Sequence, residues 1–206
     1  MLQDIWEPEL TAVFVGLAVD EVSDTLGFFH LNPGNRFWEL LELGGITPER
    51  HITSSERKAL TEGHTRGNLS DPIRAMFIQK KTSQLLRCGV GITTMNQRVV
   101  ARNDKDKAAR PADEDTQHLI SRSVKLNPKI LAFVIAPDMF VDLFKNRYPD
   151  PTAALGLQPF SMGNAEVWLL GSPATRLRGE ALTAQEDAFF ALGERMSALT
   201  KGSAQG

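Results

Sequence analysis

Four short apolar runs constrain this chain more than anything else in it: TAVFVG (11–16), RCGVGITT (87–94), ILAFVIA (130–136) and AEVWLLGSP (165–173). Each is rich in β-branched or aromatic residues and bounded by glycine, proline or polar residues, which predicts a buried strand. Helical spacing lies between them. In RFWELLELGG (36–45), Phe37, Leu40, Leu41 and Leu43 share a face and a glycine pair ends the run. AMFIQKKTSQLL (75–86), the stretch up to about Lys125 and MFVDLFKNRY (139–148) predict three more helices. TAQEDAFFALGERMSALT (183–200) predicts a last one, with Thr183 as N-cap and Glu186 at the capping-box position. Apolar strands alternating with helices predict an α/β fold: a three-layer α/β/α sandwich around a mainly parallel, roughly four-stranded sheet.

The intervening segments are assigned more loosely. Residues 46–72 are polar and expected to be irregular, with a turn at Asp71-Pro72. RNDKDKAARPADED (102–115) is charged and proline-containing, and is expected to be a surface loop, either a solvated connector or one that closes on a ligand. Residues 1–200 are expected to form one domain, and KGSAQG (201–206) a disordered tail. In parallel sheets of this kind, ligands bind outside the carboxyl ends of the strands. Three of the four loops leaving those ends are unusual, 16–35, 92–116 and 171–180, so one shared site is expected there.

Composition narrows the functions. A formal net charge of −2 gives no global field for nucleic acid, so any such contact needs a local basic patch. The single cysteine, Cys88, rules out an internal disulfide and suits a reducing cytoplasm. The N-terminus MLQDIWEPEL lacks the features of a signal peptide, and no apolar run approaches membrane-spanning length. His30, His51, His64 and His118 show no ligand spacing with acids or cysteine, so neither metal nor cofactor is expected.

Two loops carry a resemblance. Gly16 opens the first, and Pro33-Gly34-Asn35-Arg36-Phe37-Trp38 closes it; VWLLGSPATRLRG forms the second. Together with RCGVGITTMNQR and its Arg98, they resemble the uracil-DNA glycosylase superfamily over nearly the whole chain. The nearest branch is the mismatch-specific uracil/thymine-DNA glycosylases, whose first motif is G-I-N-P-G and which carry a P-G-N-R-F-W run at the same distance. Two departures stand out. The branch's catalytic Asn falls on Ala18, its Pro on Val19 and its Gly on Asp20, and Ser172-Pro173-Ala174 stands where Asn-Pro-Ser is usual. Gly16-Leu17-Ala18 is instead similar to the broad-specificity group often called family 5, which places its polar side chain three residues before a glycine. Here that residue is Asp24, before Gly27.

The resemblance implies cleavage of the N-glycosidic bond of uracil in DNA by base flipping, possible mismatch or deaminated-base substrates included, without a cofactor. Breaking that bond leaves positive charge on the sugar and negative charge on the pyrimidine, so a carboxylate and hydrogen-bond donors are required. Asp24 is the first choice for the carboxylate, although it also suits a turn residue capping Gly27; Asp20 and Glu21 are alternatives. His30 stands at the position of the stacking aromatic and could stack, donate to a base carbonyl or pass a proton. Gly16, Ala18, Phe29, Asn35 and Ser172 are the other expected substrate contacts; Phe28, Phe29 and Asn32 equally suit core or turn roles. Thr175, Arg176, Leu177 and Arg178 correspond to the loop that enters the duplex. The expected partner is double-stranded DNA, met by a monomer in the cytoplasm at the nucleoid. Two other readings remain: a superfamily member that binds uracil-containing or damaged DNA without cleaving it, and a small-molecule hydrolase or nucleotide-binding domain of similar architecture.

Overall fold

The computed structural model describes residues 2–47, 51–67, 70–101, 107–174 and 176–203. Its centre is a five-stranded sheet built from β1 (Ala12–Asp20), β2 (Val90–Ala101), β3 (Ile130–Phe133), β4 (Gly156–Met162) and β5 (Ala165–Leu169), in the order β2-β1-β3-β5-β4. The first four positions in that order are parallel, with Ala12 facing both Val90 and Ile130, and Ile130 facing Glu166. β4 runs antiparallel to β5 at the edge.

Helices cover both faces, as three layers require. Around β1 lie α1 (Glu21–Leu26), α2 (Phe37–Leu43), α3 (Ser54–Thr65), α4 (Asp71–Arg87) and α7 (Glu180–Ser203) on one side. On the other lie α5 (Asp113–Leu126) and α6 (Pro137–Phe144). The two-residue period of β1 sorts the core. Phe14 meets Phe37 and Phe189 of α2 and α7, while Val13 and Val15 belong with Leu119, Phe140 and Phe144.

Several sequence expectations are corrected. The expected irregular segment 46–72 contains a helix: Ser54–Thr65 form α3 behind a complete capping box, Thr53 with Glu56, and Asp71-Pro72 opens α4 rather than forming a turn. β1 runs to Asp20 with a bulge between Ala18 and Val19, and α1 follows at once, so the expected 16–35 loop begins as strand and helix. α5 starts at Asp113, inside the expected 102–115 loop, of which 102–106 lie outside the described residues. α7 starts at Glu180, so Thr183 sits inside it, and Glu186 pairs with Arg36 instead of capping. The helix reaches Ser203, three residues into the expected tail; 204–206 lie outside the described residues.

β4 is the strand the sequence hides. Gln158, Phe160 and Met162 point inward and Leu157, Pro159 and Ser161 outward, a clean alternation that contains a buried glutamine and a proline. Proline is tolerated there because β4 is an edge. Gly163, with φ of 61°, supplies the turn into β5.

Candidate active site

A cavity of about 150 Å³ opens at the carboxyl ends of the parallel strands. That is the scale of one heterocyclic ring, well below the ~300–1,000 Å³ of drug-sized sites. Gly16, Leu17, Ala18 and Asp20 of β1 form one wall, Val134 to Ala136 after β3 another, and Ser172 to Ala174 after β5 a third. His30, Asn32 and Asn35 close it from the α1–α2 connection. Two of the three unusual loops therefore converge as expected, and the third reaches it through Ala101 and Ala109.

The acid that reaches the cavity is Asp20, not Asp24. Because β1 continues to Asp20, that residue stands at the strand mouth and is the N-cap of α1. Its Oδ1 accepts the Ser23 N–H at 3.0 Å, and its Oδ2 accepts the Ser23 hydroxyl at 2.6 Å. The buried Ser23 Oγ in turn accepts the Leu31 N–H at 2.9 Å, tying the acid to the segment carrying His30. Asp24 lies one helical turn further on and Glu21 is exposed; neither is a wall residue. Nor does Asp24 cap Gly27, whose own N–H, at φ of 82°, closes α1 on the Ser23 carbonyl.

His30 sits in the left-handed region, φ of 54°, and its carbonyl accepts the Trp38 indole N–H at 3.1 Å. Its ring stacks on Phe37 with centroids 4.0 Å apart, and its Nδ1 lies 3.3 Å from Asn35 Nδ2. Burial pushes the imidazole down to about 4, with nearby Asp20 pulling the other way, so the ring is neutral at pH 7. Its Nε2 is buried with no hydrogen-bond partner among the described residues. A buried polar group left so costs about 1–3 kcal/mol.

The remaining expected residues divide. Phe28 and Phe29 are buried in the core and are not walls; Phe28 stacks on Trp38. Asn32 is a wall residue that also forms a turn, its Oδ1 accepting the Gly34 N–H at 3.0 Å. Arg98 is engaged by Asp115 at 3.0 Å. Arg176 and Arg178 are exposed and Leu177 is half-buried, directly beyond the wall residues Pro173 and Ala174. Thr175 lies outside the described residues.

Two residues that shape the site were missed in the sequence. Arg57 of α3 is 1% exposed. Its Nη1 donates to the carbonyls of Asn32 and Asn35, and its Nη2 pairs with Glu39 at 2.7 Å. The signal for it was the T-S-S-E capping box beginning at Thr53, which marks a helix in a stretch of otherwise polar residues. Gln185 is buried in α7 and donates to the carbonyls of Leu170 and Ser172, holding the β5 loop. Nothing in its sequence neighbourhood marks it.

Among the described residues, no three His, Cys, Asp or Glu side chains are grouped so as to hold a metal ion, and no helix is long and apolar enough to cross a membrane. A scan against models of known protein families matches none of them to this chain.

Proposed function

We propose that this chain is a monofunctional DNA glycosylase that hydrolyses the N-glycosidic bond of a flipped uracil and leaves an abasic site. It would act as a monomer on duplex DNA in the cytoplasm. The observation that carries the reading is the cavity's composition. A ring-sized recess is lined by one carboxylate, one uncharged imidazole, one hydroxyl and two amides, the exposed Asn32 and the buried Asn35, on otherwise apolar or backbone walls.

In that reading, the bond between C1′ and the base nitrogen breaks as positive charge grows on the sugar. The Asp20 carboxylate stabilises that charge and takes a proton from the water whose oxygen bonds to C1′. Each of its oxygens keeps a lone pair beyond the one given to Ser23. The departing base carries the electron pair and is met by N–H and O–H donors from His30, Asn35 and Ser172 before it picks up a proton. Arg176 and Arg178, exposed beside the mouth, suit phosphate, and Leu177 suits the space left in the stack.

One observation favours the second reading, a protein that binds uracil-containing DNA without cutting the bond. Ala18 is a wall residue, so a methyl group stands where the resembled branch carries its catalytic amide. A labelled duplex with one U opposite G, treated with alkali after incubation, separates the two. Strand breaks that disappear in Asp20→Asn and persist in Asp24→Asn support the glycosylase. Breaks lost only in Asp24→Asn would sink the role given to Asp20, and binding without breaks would establish the second reading.

A further inference from the structure

We propose that Ser23 is the positioning residue of the site, its hydroxyl fixing the direction in which the Asp20 carboxylate meets a positive charge in the cavity. This deepens the glycosylase reading and rests on it for the role given to Asp20.

The direction of each bond is set by a donor that cannot accept. The Leu31 N–H meets Ser23 Oγ at 2.9 Å, and a backbone N–H only donates, so the hydroxyl oxygen accepts there. The hydroxyl proton is then left for Asp20 Oδ2, 2.6 Å away. The three groups form one chain, Leu31 N–H to Ser23 O–H to carboxylate, in which each bond polarises the next. Its last bond, an O–H on a carboxylate, is of the short, strong kind.

Capping α1 does not require that last bond. The Ser23 N–H on Oδ1, at 3.0 Å, already completes the N-cap. The hydroxyl adds a hold on the second oxygen, so the carboxylate cannot turn about its Cβ–Cγ bond without losing a contact. The Asp20 backbone is fixed separately, by the sheet. The register of β1 on β2 jumps after Ala18 and sets Asp20 opposite Ala101, another wall residue. Backbone and carboxylate are thus held by different elements, and an acid misplaced by about 1 Å can cost on the order of 100-fold in rate. Ser23 is 1% exposed and is not a wall. It reaches a bound molecule only through Asp20 or through the segment at Leu31, and these two routes leave different traces.

The test gives the full chain two duplexes that differ at one nucleotide. One carries a protonated pyrrolidine in place of the deoxyribose ring, cationic where charge would grow on the sugar; the other carries the neutral tetrahydrofuran ring. The parent should bind the pyrrolidine duplex about tenfold or more tightly than the neutral one. Ser23→Ala should bring that ratio close to one, with the neutral duplex held within about twofold of its parent affinity. Ser23→Cys fills the same space with a poor donor, should behave alike, and serves if the alanine variant does not fold. On a U·G duplex, Ser23→Ala should cleave about tenfold more slowly at saturating protein, with the half-saturating concentration unchanged. A parent without preference for the cation, or a ratio that survives Ser23→Ala, would overturn the proposal. So would an equal loss of both affinities, which is what loosening at Leu31 alone produces. The same samples keep the readings apart. Cleavage as fast in Ser23→Ala as in the parent would sink the role of Ser23 and leave the glycosylase. The expected ratios without cleavage in the parent would refute the glycosylase and leave Ser23 holding the acid.

Discussion

Truncating Arg57 should weaken the whole protein through a loop it never enters. In Arg57→Ala the Asn35 carbonyl, inside a buried segment, loses its donor, and the Asn32 carbonyl loses another. One buried carbonyl without a partner costs about 1–3 kcal/mol. The lost bond to Glu39 adds only about 1 kcal/mol, because Glu39 is 33% exposed and keeps Arg36 at 3.7 Å. Removing the buried aliphatic stem adds roughly 1–2 kcal/mol of lost packing. Against these, Arg57 Nε has no partner among the described residues, and deleting it recovers about 1 kcal/mol. The balance is a loss of about 3 kcal/mol, which for a chain of this size lowers Tm by roughly 6–12 °C. Thermal unfolding followed by tryptophan fluorescence reads it directly, with Glu39→Gln as a control expected to lose about 1 kcal/mol. A Tm within 2 °C of the parent, or equal losses in Arg57→Ala and Glu39→Gln, would refute this account of how the segment is held (~1 kcal/mol at most in the first case).

Three other outcomes are expected. A Cβ on Gly193 of α7 would run into the Gly44 carbonyl, so Gly193→Ala should cost about 2 kcal/mol or more despite alanine's better helix propensity. Gly202→Ala, with open space around it, should be neutral or slightly stabilising, and urea titration of both glycine variants against the parent reads the difference. Gln185→Leu should cost about 1–3 kcal/mol and raise hydrogen exchange at residues 170–173, because two carbonyls lose their donor. Stability should also fall as the solution is acidified. Burial holds His30 and His51 at about 4 in the fold, against about 6.5 unfolded, so between those values the unfolded chain binds more protons. The histidine contribution is complete above pH 6.5 and decays towards pH 4, by roughly 2–3 kcal/mol for His30. Urea midpoints measured between pH 7 and 5, above most carboxylate titration, should drop in the parent and drop less in His30→Phe.

Much of the fold was legible because its signals are strong and local. The runs around Val13, Ile92, Leu131 and Val167 are fully buried strands, and Phe37, Leu40 and Leu41 do form the inner face of α2. The failures have physical reasons. α3 is polar over most of its surface, and the residue it buries most deeply is an arginine, so hydrophobic periodicity misses it. β4 buries Gln158 between chain ends of its own loop, satisfied by the Thr152 N–H and the Ala154 carbonyl, and a polar side chain that is satisfied this way looks exposed in a sequence. Asp24 outranked Asp20 because spacing was counted along a supposed loop. Once β1 extends to Asp20 and α1 begins, four residues become one helical turn, about 6 Å along the axis, and the acids part company. His30, Asn35 and Ser172 could be placed together from sequence order; their mutual orientation could not.

The Arg36 backbone N–H donates to the Pro173 carbonyl at 3.0 Å, so the two lips of the cavity are joined to each other. α7 braces both, with Glu186 on Arg36 and Gln185 on Leu170 and Ser172. Spreading the lips would break the Arg36–Pro173 bond and pull at least one lip from its brace on α7, so the recess is held in shape before anything enters it. On the reading proposed above, a preformed recess shifts the work of rearrangement to the nucleic acid. The nucleotide must leave its stack by its own mechanics, and a mispaired one does so at lower cost than a paired one. Preference among duplex contexts would then be written in the DNA, while the protein's rigid mouth only samples what the helix has already let go.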